Sequence, residues 1–504
     1  MKTLKPGSIP ILREEVIKGG DMFKIKKGVI FLFFTSIVIT GCKKREKITE
    51  PHPNVHYDYL LLSYEDIIVP PSGNSGNWIY IIGGDINGTY YVSPNGDDSN
   101  PGTKDRPFRT ISCGVSHLSP GDTLVILPGG TNRRPVIAGG NALNCAFDLS
   151  GKSYIWIENL EITHNDTMRG EGKFFWDGIY IWEPANNIVV KNVYIHHIDG
   201  MGMNIRDVNF LEISGCRIEY CGFGGLGGPE PSQGGWQNVT IKGCTLSYSG
   251  HYYQGKDSCD VYDRPDGFGI ETSLGPILIE NTVAMHNYGD GLDSKAYNTT
   301  VKECIVANNS GDGVKLWKGT SRIINTLIYG RGDRNTTPTP WAAIVIDQGD
   351  EGEPNQRFEI INCTIDDTLG NNYLMYVEYG QTRPQTIVLI NNIFCGRGPE
   401  CPIYINEAST IIAENNLFYF PRSPFVLEHG NTVYDSTNIH NLGPGNIYGN
   451  PLFIRTAWGI EGDYHLRNGS PAIDAGTSNL APSIDLDGKP RPQGNNFDIG
   501  CYER

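Results

Sequence analysis

The chain has 504 residues, a formal net charge of −15 and 62 glycines. No basic stripe accompanies that charge, which excludes a nucleic-acid surface. Amphipathic Leu- or Ala-rich runs are scarce and Asn-Gly and Asp-Gly pairs recur, which excludes a helical fold in favour of a turn-rich β protein.

Residues 22–42 have the form of a secretory signal. Lys24, Lys26 and Lys27 are its basic start, and Val29 to Ile39 its apolar core, too short for a comfortable membrane-spanning helix. The core ends in Ile39-Thr40-Gly41-Cys42, which resembles a bacterial lipoprotein box. The expectation is cleavage before Cys42, lipidation of its thiol and residence at the cell envelope, at the outer membrane, with the lipid as the sole membrane contact. Met22 reads as the true start, because residues 1–21 lie awkwardly before the basic cluster. Residues 43–88 read as a tether and irregular lead-in.

From Tyr90 the pattern sharpens into a strand, a turn-rich loop and a short amphipathic helix opened by Pro107, with Ile111, Val115 and Leu118 on one face. A helix here would cap the open end of a solenoid. Ten hexapeptides then share one template, from IENLEI at 157–162 through ISGCRI at 213–218 and IINTLI at 323–328 to AENNLF at 413–418. Their shortest spacings are 22 to 24 residues, the period of stacked coils. The third position is Asn in seven of them (Asn159, Asn192, Asn281, Asn325, Asn362, Asn391 and Asn415), a ladder expected to hydrogen-bond between coils. Cys216, Cys244, Cys304 and Cys363 occupy the fourth position and read as small buried residues. Cys395 and Cys401 flank a Gly/Pro loop and are candidates for a bridge. Longer spacings mark Gly-, Tyr- and Trp-rich insertions, as expected of loops that build a groove on a rigid frame. The β-helix is expected over 89–455, and residues 456–504 as a cap on its last coil.

Three further hexapeptides align without gaps: D-G-F-G-I-E at 266–271, D-G-L-D-S-K at 290–295 and D-G-V-K-L-W at 312–317. Asp-Gly followed by alternation is a turn entering a strand with one buried face. In stacked coils Gly269, Asp293 and Lys315 form one outward column. Glu271, Lys295 and Trp317 form the next, and Asp266, Asp290 and Asp312 a third at the turn. Carboxylates and lysines distant in sequence thus converge on one patch, the candidate active site. An acidic substrate matches the net charge if a divalent cation bridges its carboxylates to the protein.

D-G-F-G-I at 266–270, N-Y-G-D-G-L-D at 287–293 and G-D-G-V-K-L at 311–316 resemble polysaccharide lyase family 9, calcium-dependent pectate lyases on a right-handed parallel β-helix. The resemblance covers about 50 residues. It implies Ca2+ as cofactor, Asp266, Asp290 and Asp293 as its ligands and Lys315 as the catalytic base. Two positions depart from the family pattern: Gly289 replaces an Asp, and Glu271 stands where Lys is common. The expectation is that calcium binds more weakly, or that the missing carboxylate is supplied by Asp312, Glu271 or water. The chemistry implied is β-elimination from an acidic polysaccharide of the pectate or rhamnogalacturonan type, acting as a monomer. The base removes the C5 proton while the cation stabilises charge on the C6 carboxylate. A lysine is a base only when neutral, and burial beside a cation favours that form. Lys295 is expected to bind a substrate carboxylate and Trp317 to stack on a sugar. Two other readings stand beside this one: a β-helix glycoside hydrolase using paired Asp, and a non-catalytic surface carbohydrate-binding solenoid.

Overall fold

The computed structural model describes residues 81–82 (backbone only), 88–119, 122–128, 134–257, 265–330, 342–347, 353–367, 373–378, 384–398, 403–456 and 462–504. The signal segment, Cys42, the tether and Cys401 lie outside these residues.

Almost every regular element is a short strand. Among the described residues they assemble into sheets of 12, 12 and 10 strands. Nearly all neighbours pair in parallel, each with the strand one coil away. This is a right-handed parallel β-helix. The site sheet runs from Leu143–Asp148 to Thr432–Tyr434, the flank sheet from Val136–Gly139 to Ile447–Tyr448, and the back sheet from Ser153–Glu158 to Thr410–Glu414.

The hexapeptide alignment is the register of the flank sheet. Its sixth position stacks directly, Ile162 on Ile195, Ile195 on Ile218 and, at the far end, Phe394 on Phe418. All five side chains are fully buried in one core that follows the axis. Complete burial of each such side chain contributes about 1.5–3 kcal/mol, so the repeated apolar position holds the coils together. The third position is where each coil turns from the back sheet into the flank sheet. The backbone there is left-handed, with φ between 49° and 62° at all seven Asn, at Gly215 and Gly243 and at Glu303. Asn and Gly are the residues that enter this region most readily, which explains the column. The four cysteines that follow are buried, as expected.

The capping helix, α1, spans Ile111–Ser116, and Ile111, Val115 and Leu118 pack against the core. It begins later than Pro107 suggests. Asp98 accepts the amides of Arg109 and Thr110, and Thr110 then caps the helix by accepting the Cys113 amide. The C-terminal segment, expected over the last coil, lies along the side of the flank sheet. Tyr464, Leu466, Ile499 and Cys501 join Leu327, Ile393 and Leu417 in a second apolar cluster. The segment also binds the Asn column: Asn391 and Asn415 donate to the Thr477 and Ala475 carbonyls, and Asn325 accepts from Arg491.

Candidate active site

Three consecutive strands of the site sheet carry the candidate residues: β1 (Phe268–Ser273), β2 (Leu292–Ala296) and β3 (Val314–Leu316). Phe268, Leu292 and Val314 point inward and are buried. The alternate positions point outward in the expected register, Gly269 beside Asp293 and Asp293 beside Lys315.

The turn aspartates have a structural task before any other. Asp266 accepts the Asp290 amide at 2.6 Å, Asp290 the Asp312 amide at 2.6 Å, and Asp312 the Ala342 amide at 2.9 Å. Asp177 treats Met201 in the same way, so Asp-Gly is first a device for joining coils. The glycine is required by close approach: a Cβ on Gly313 would lie 2.3 Å from the Ala343 carbonyl oxygen.

Chemistry begins where the second carboxylate oxygens meet. Asp266, Asp290 and Asp293 each offer an oxygen, and these lie within 4.8 Å of one another. Gly269 makes this possible, since a Cβ there would sit 2.6 Å from Asp266 Oδ2. Burial, then Asp290 and Asp293, push the Asp266 carboxyl well above the ordinary carboxylate range. Asp293 is pushed up to about 7, by burial against the opposing pull of Lys315 and with Asp290 adding to the rise. Buried like charges of this kind need a cation, and an all-oxygen carboxylate set suits a hard ion such as calcium. The donors therefore fit the group implied by the sequence.

Lys315 is only 6% exposed, although its side chain leaves the outer face of its strand. Its amine is 3.7 Å from Asp312 Oδ2 and 5.2 Å from the centre of the Trp317 ring. The other face of this pattern is Lys295, which pairs with Glu271 at 2.6 Å and lies 4.9 Å from the same ring. Burial works against the charge on Lys295, but Asp293 and Glu271 outweigh it and raise its pKa. Trp317 donates its indole N–H to Asp293 Oδ1 at 2.9 Å, which fixes the half-buried ring within reach of both amines.

All six residues expected at the site, Asp266, Asp290, Asp293, Lys295, Lys315 and Trp317, thus come together. The expected substitutes for the carboxylate lost at Gly289 do not join the oxygen cluster. Glu271 is committed to Lys295, and Asp312 faces Ala342 and Lys315.

Sequence reasoning missed Asn287 and Asn309. Asn287 donates to Asn309 Oδ1 at 2.8 Å and accepts the Ser249 amide, and Asn309 donates to the Ala284 carbonyl. Both are buried and brace the turns that aim Asp290 and Asp312. The signal was a repeated N-x-G-D-G at 287–291 and 309–313.

The right-handed β-helix region family matches residues 136–264 and 232–418. Among solved structures, XylC in complex with xylose superposes with a TM-score of 0.53 and 11% identity, over 82% of this chain and 99% of that one. Pectate lyase Pel9A superposes with a TM-score of 0.47 and 17% identity, over 84% of this chain and 98% of that one. A curated relative, the uncharacterized protein YwoF of Bacillus subtilis (strain 168), is 29% identical over 135 residues, a match spanning 21% of this chain and 28% of that protein. At 11% identity, XylC shares the fold with this chain.

Proposed function

The chain belongs to the right-handed β-helix family, and from that premise we propose that it cleaves uronate-containing polysaccharides by calcium-assisted β-elimination. The observation that carries the reading is the convergence of three carboxylate oxygens within 4.8 Å beside a buried lysine in the same outward column.

Asp266, Asp290 and Asp293 hold the cation. Calcium, when bound, neutralises the substrate carboxylate and stabilises the charge that develops there. Lys315 takes the C5 proton, the C4=C5 double bond forms as the C4–oxygen bond breaks, and the departing oxygen takes a proton from solvent to become the hydroxyl of the new reducing end, leaving an unsaturated uronate. Lys295 is the poorer base because Asp293 and Glu271 favour its charged form; it pairs with a substrate carboxylate. Trp317 lies near both amines and presents its half-buried ring to the sugar. Pectate and rhamnogalacturonan are the substrate types that fit.

A glycoside hydrolase needs an acid and a second carboxylate on either side of the scissile bond, about 5 Å or more apart. Here three carboxylates converge on one point, and a hydrolase has no use for Lys315. The test is a product assay on pectate, rhamnogalacturonan and alginate. Elimination predicts ultraviolet absorbance from the conjugated product, abolished by chelator and restored by calcium. New reducing ends without that absorbance would establish hydrolysis instead.

A further inference from the structure

Over the three coils before Asp266, a group of aromatic rings stands beside the candidate site. Trp176, Gly200 and Phe223 are successive rungs: the Gly200 amide donates to the Trp176 carbonyl at 2.7 Å, and the Phe223 amide to the Gly200 carbonyl at 2.8 Å. The next coil follows at once, since the Gly225 amide donates to the Asp266 carbonyl at 2.9 Å. With no side chain on Gly200, the rings of Trp176 and Phe223 approach to 5.9 Å. Phe174 stacks on Trp176 at 4.8 Å, and Tyr253 stacks parallel to Phe223 at 6.5 Å.

Tyr253 comes from an insertion and is held there by its neighbour. Tyr252–Tyr253 pairs with Lys256–Asp257 as a small hairpin. Tyr252 is fully buried, 5.0 Å from the His197 ring and 6.3 Å from the His164 ring, with Arg169 over its face at 5.4 Å. Adjacent strand residues point to opposite sides, so anchoring Tyr252 turns Tyr253 toward Phe223. Trp176 is buried as a backing, whereas Phe174, Phe223 and Tyr253 remain half-exposed.

We propose that Phe174, Phe223 and Tyr253 form a sugar-stacking subsite on the N-terminal side of the metal cluster, engaging the apolar faces of sugar rings several units from the cleaved bond. This rests on the lyase reading above. The occupant is the same polysaccharide, because the rings continue the face that carries Asp266. Coils are about 4.8 Å apart, close to the length of one sugar, so a chain lying along the axis presents successive rings to successive coils. In the two coils before Asp293 its outward column carries Gly227 and Gly269, a stretch of floor without side chains four residues along the strand from Phe223. Aromatic faces match the C–H faces of sugars and leave the carboxylates free for the cation and Lys295. The enzyme therefore grips long chains more tightly than short ones.

The experiment measures calorimetric binding of galacturonate trimer and hexamer with calcium present. It uses a Lys315→Ala background so that nothing is turned over, with Phe223→Leu and Tyr253→Leu added separately. Each leucine should weaken the hexamer by about tenfold and leave the trimer within about twofold of its parent. Equal losses on both oligomers would mean that the rings only support the fold. An unchanged hexamer affinity, or no binding of either oligomer, would also overturn the subsite. A wild-type protein that binds hexamer through Phe223 yet forms no unsaturated product would keep the subsite and remove the proposed chemistry.

Discussion

Two columns of turn residues run along this helix, and they solve the same problem with opposite electrostatics. On the flank, Asn391 donates to Asn362 Oδ1 and accepts the Thr477 amide. An amide is donor and acceptor at once, so such a column can satisfy itself and its neighbours. At the site, Asp266, Asp290 and Asp312 also bind the next coil, but a carboxylate only accepts. One oxygen of each is used, and the remaining charge accumulates with every coil. The flank column holds the C-terminal segment in place. The site column holds a repulsion that a proton or a cation relieves. In the first, stacking serves stability alone; in the second, the stable frame maintains an arrangement the residues would not adopt unaided.

The largest expected effect separates the charge cluster from the base. Lys315→Ala should lower the rate of unsaturated product formation by about 10²–10⁴ at saturating calcium, with the fold retained but the melting temperature lowered, because the buried Asp312 loses its counter-charge. Lys315→Arg should be almost as slow, because guanidinium does not release its proton near neutral pH. Lys295→Ala should act mainly on KM. If it instead abolishes turnover while Lys315→Ala does not, the base is one column over.

Next in size is the cation's contribution to stability. Calcium at about 100 times its Kd should stabilise the wild type by about 2.7 kcal/mol. Asp293→Asn keeps an acceptor for Trp317 but removes a ligand charge, so it should stabilise the chelated protein and lose most of the calcium response. The sign with pH follows from the raised carboxyls of Asp266 and Asp293. Their stability contribution in chelator is complete below the unfolded value of about 3.9. It is lost as pH rises through the folded value, about 7 for Asp293. The gap in melting temperature between calcium and chelator should therefore widen from pH 4 to pH 7 in wild type and widen less in Asp293→Asn. A gap independent of pH in both proteins would dissociate the carboxyl cluster from the calcium site.

Much of this was legible in the sequence, because a solenoid converts spacing directly into position. Gap-free alignment of the Asp-Gly hexapeptides placed Asp293 next to Lys315, and the structure pairs them. The same logic could not foresee that the outward Lys315 is buried, since alternation fixes the side from which a residue leaves the strand and not what packs over it. Nor did it place Tyr253, whose hairpin is positioned by His164 and Asp199 from earlier coils rather than by its own repeat. The Asn column was recognised, but its cause was only partly read: interstrand bonding is present at Asn192 and Asn391, whereas left-handed backbone is common to all seven.

The smallest effect tests that last distinction. Asn391 and Asn281 have similar backbone, with φ of 56° and 49°. Asn391 is buried and bonds Asn362 and both polar backbone groups of Thr477. Asn281 is exposed, and its side chain makes no hydrogen bond among the described residues. Glycine accepts this backbone without strain, whereas alanine costs about 1–2 kcal/mol there. Asn281→Gly should therefore be nearly neutral, and Asn281→Ala should lose only the backbone term. Asn391→Gly should lose about 1–3 kcal/mol from the unpaired Thr477 groups, and Asn391→Ala should lose both contributions. Denaturant midpoints of the four variants give the ordering. If Asn391→Gly is as stable as wild type, the column is conformational throughout and its bonds to the C-terminal segment contribute nothing net. If Asn281→Gly costs as much as Asn391→Gly, the stabilisation arises from Asn itself at the turn, independent of what it touches.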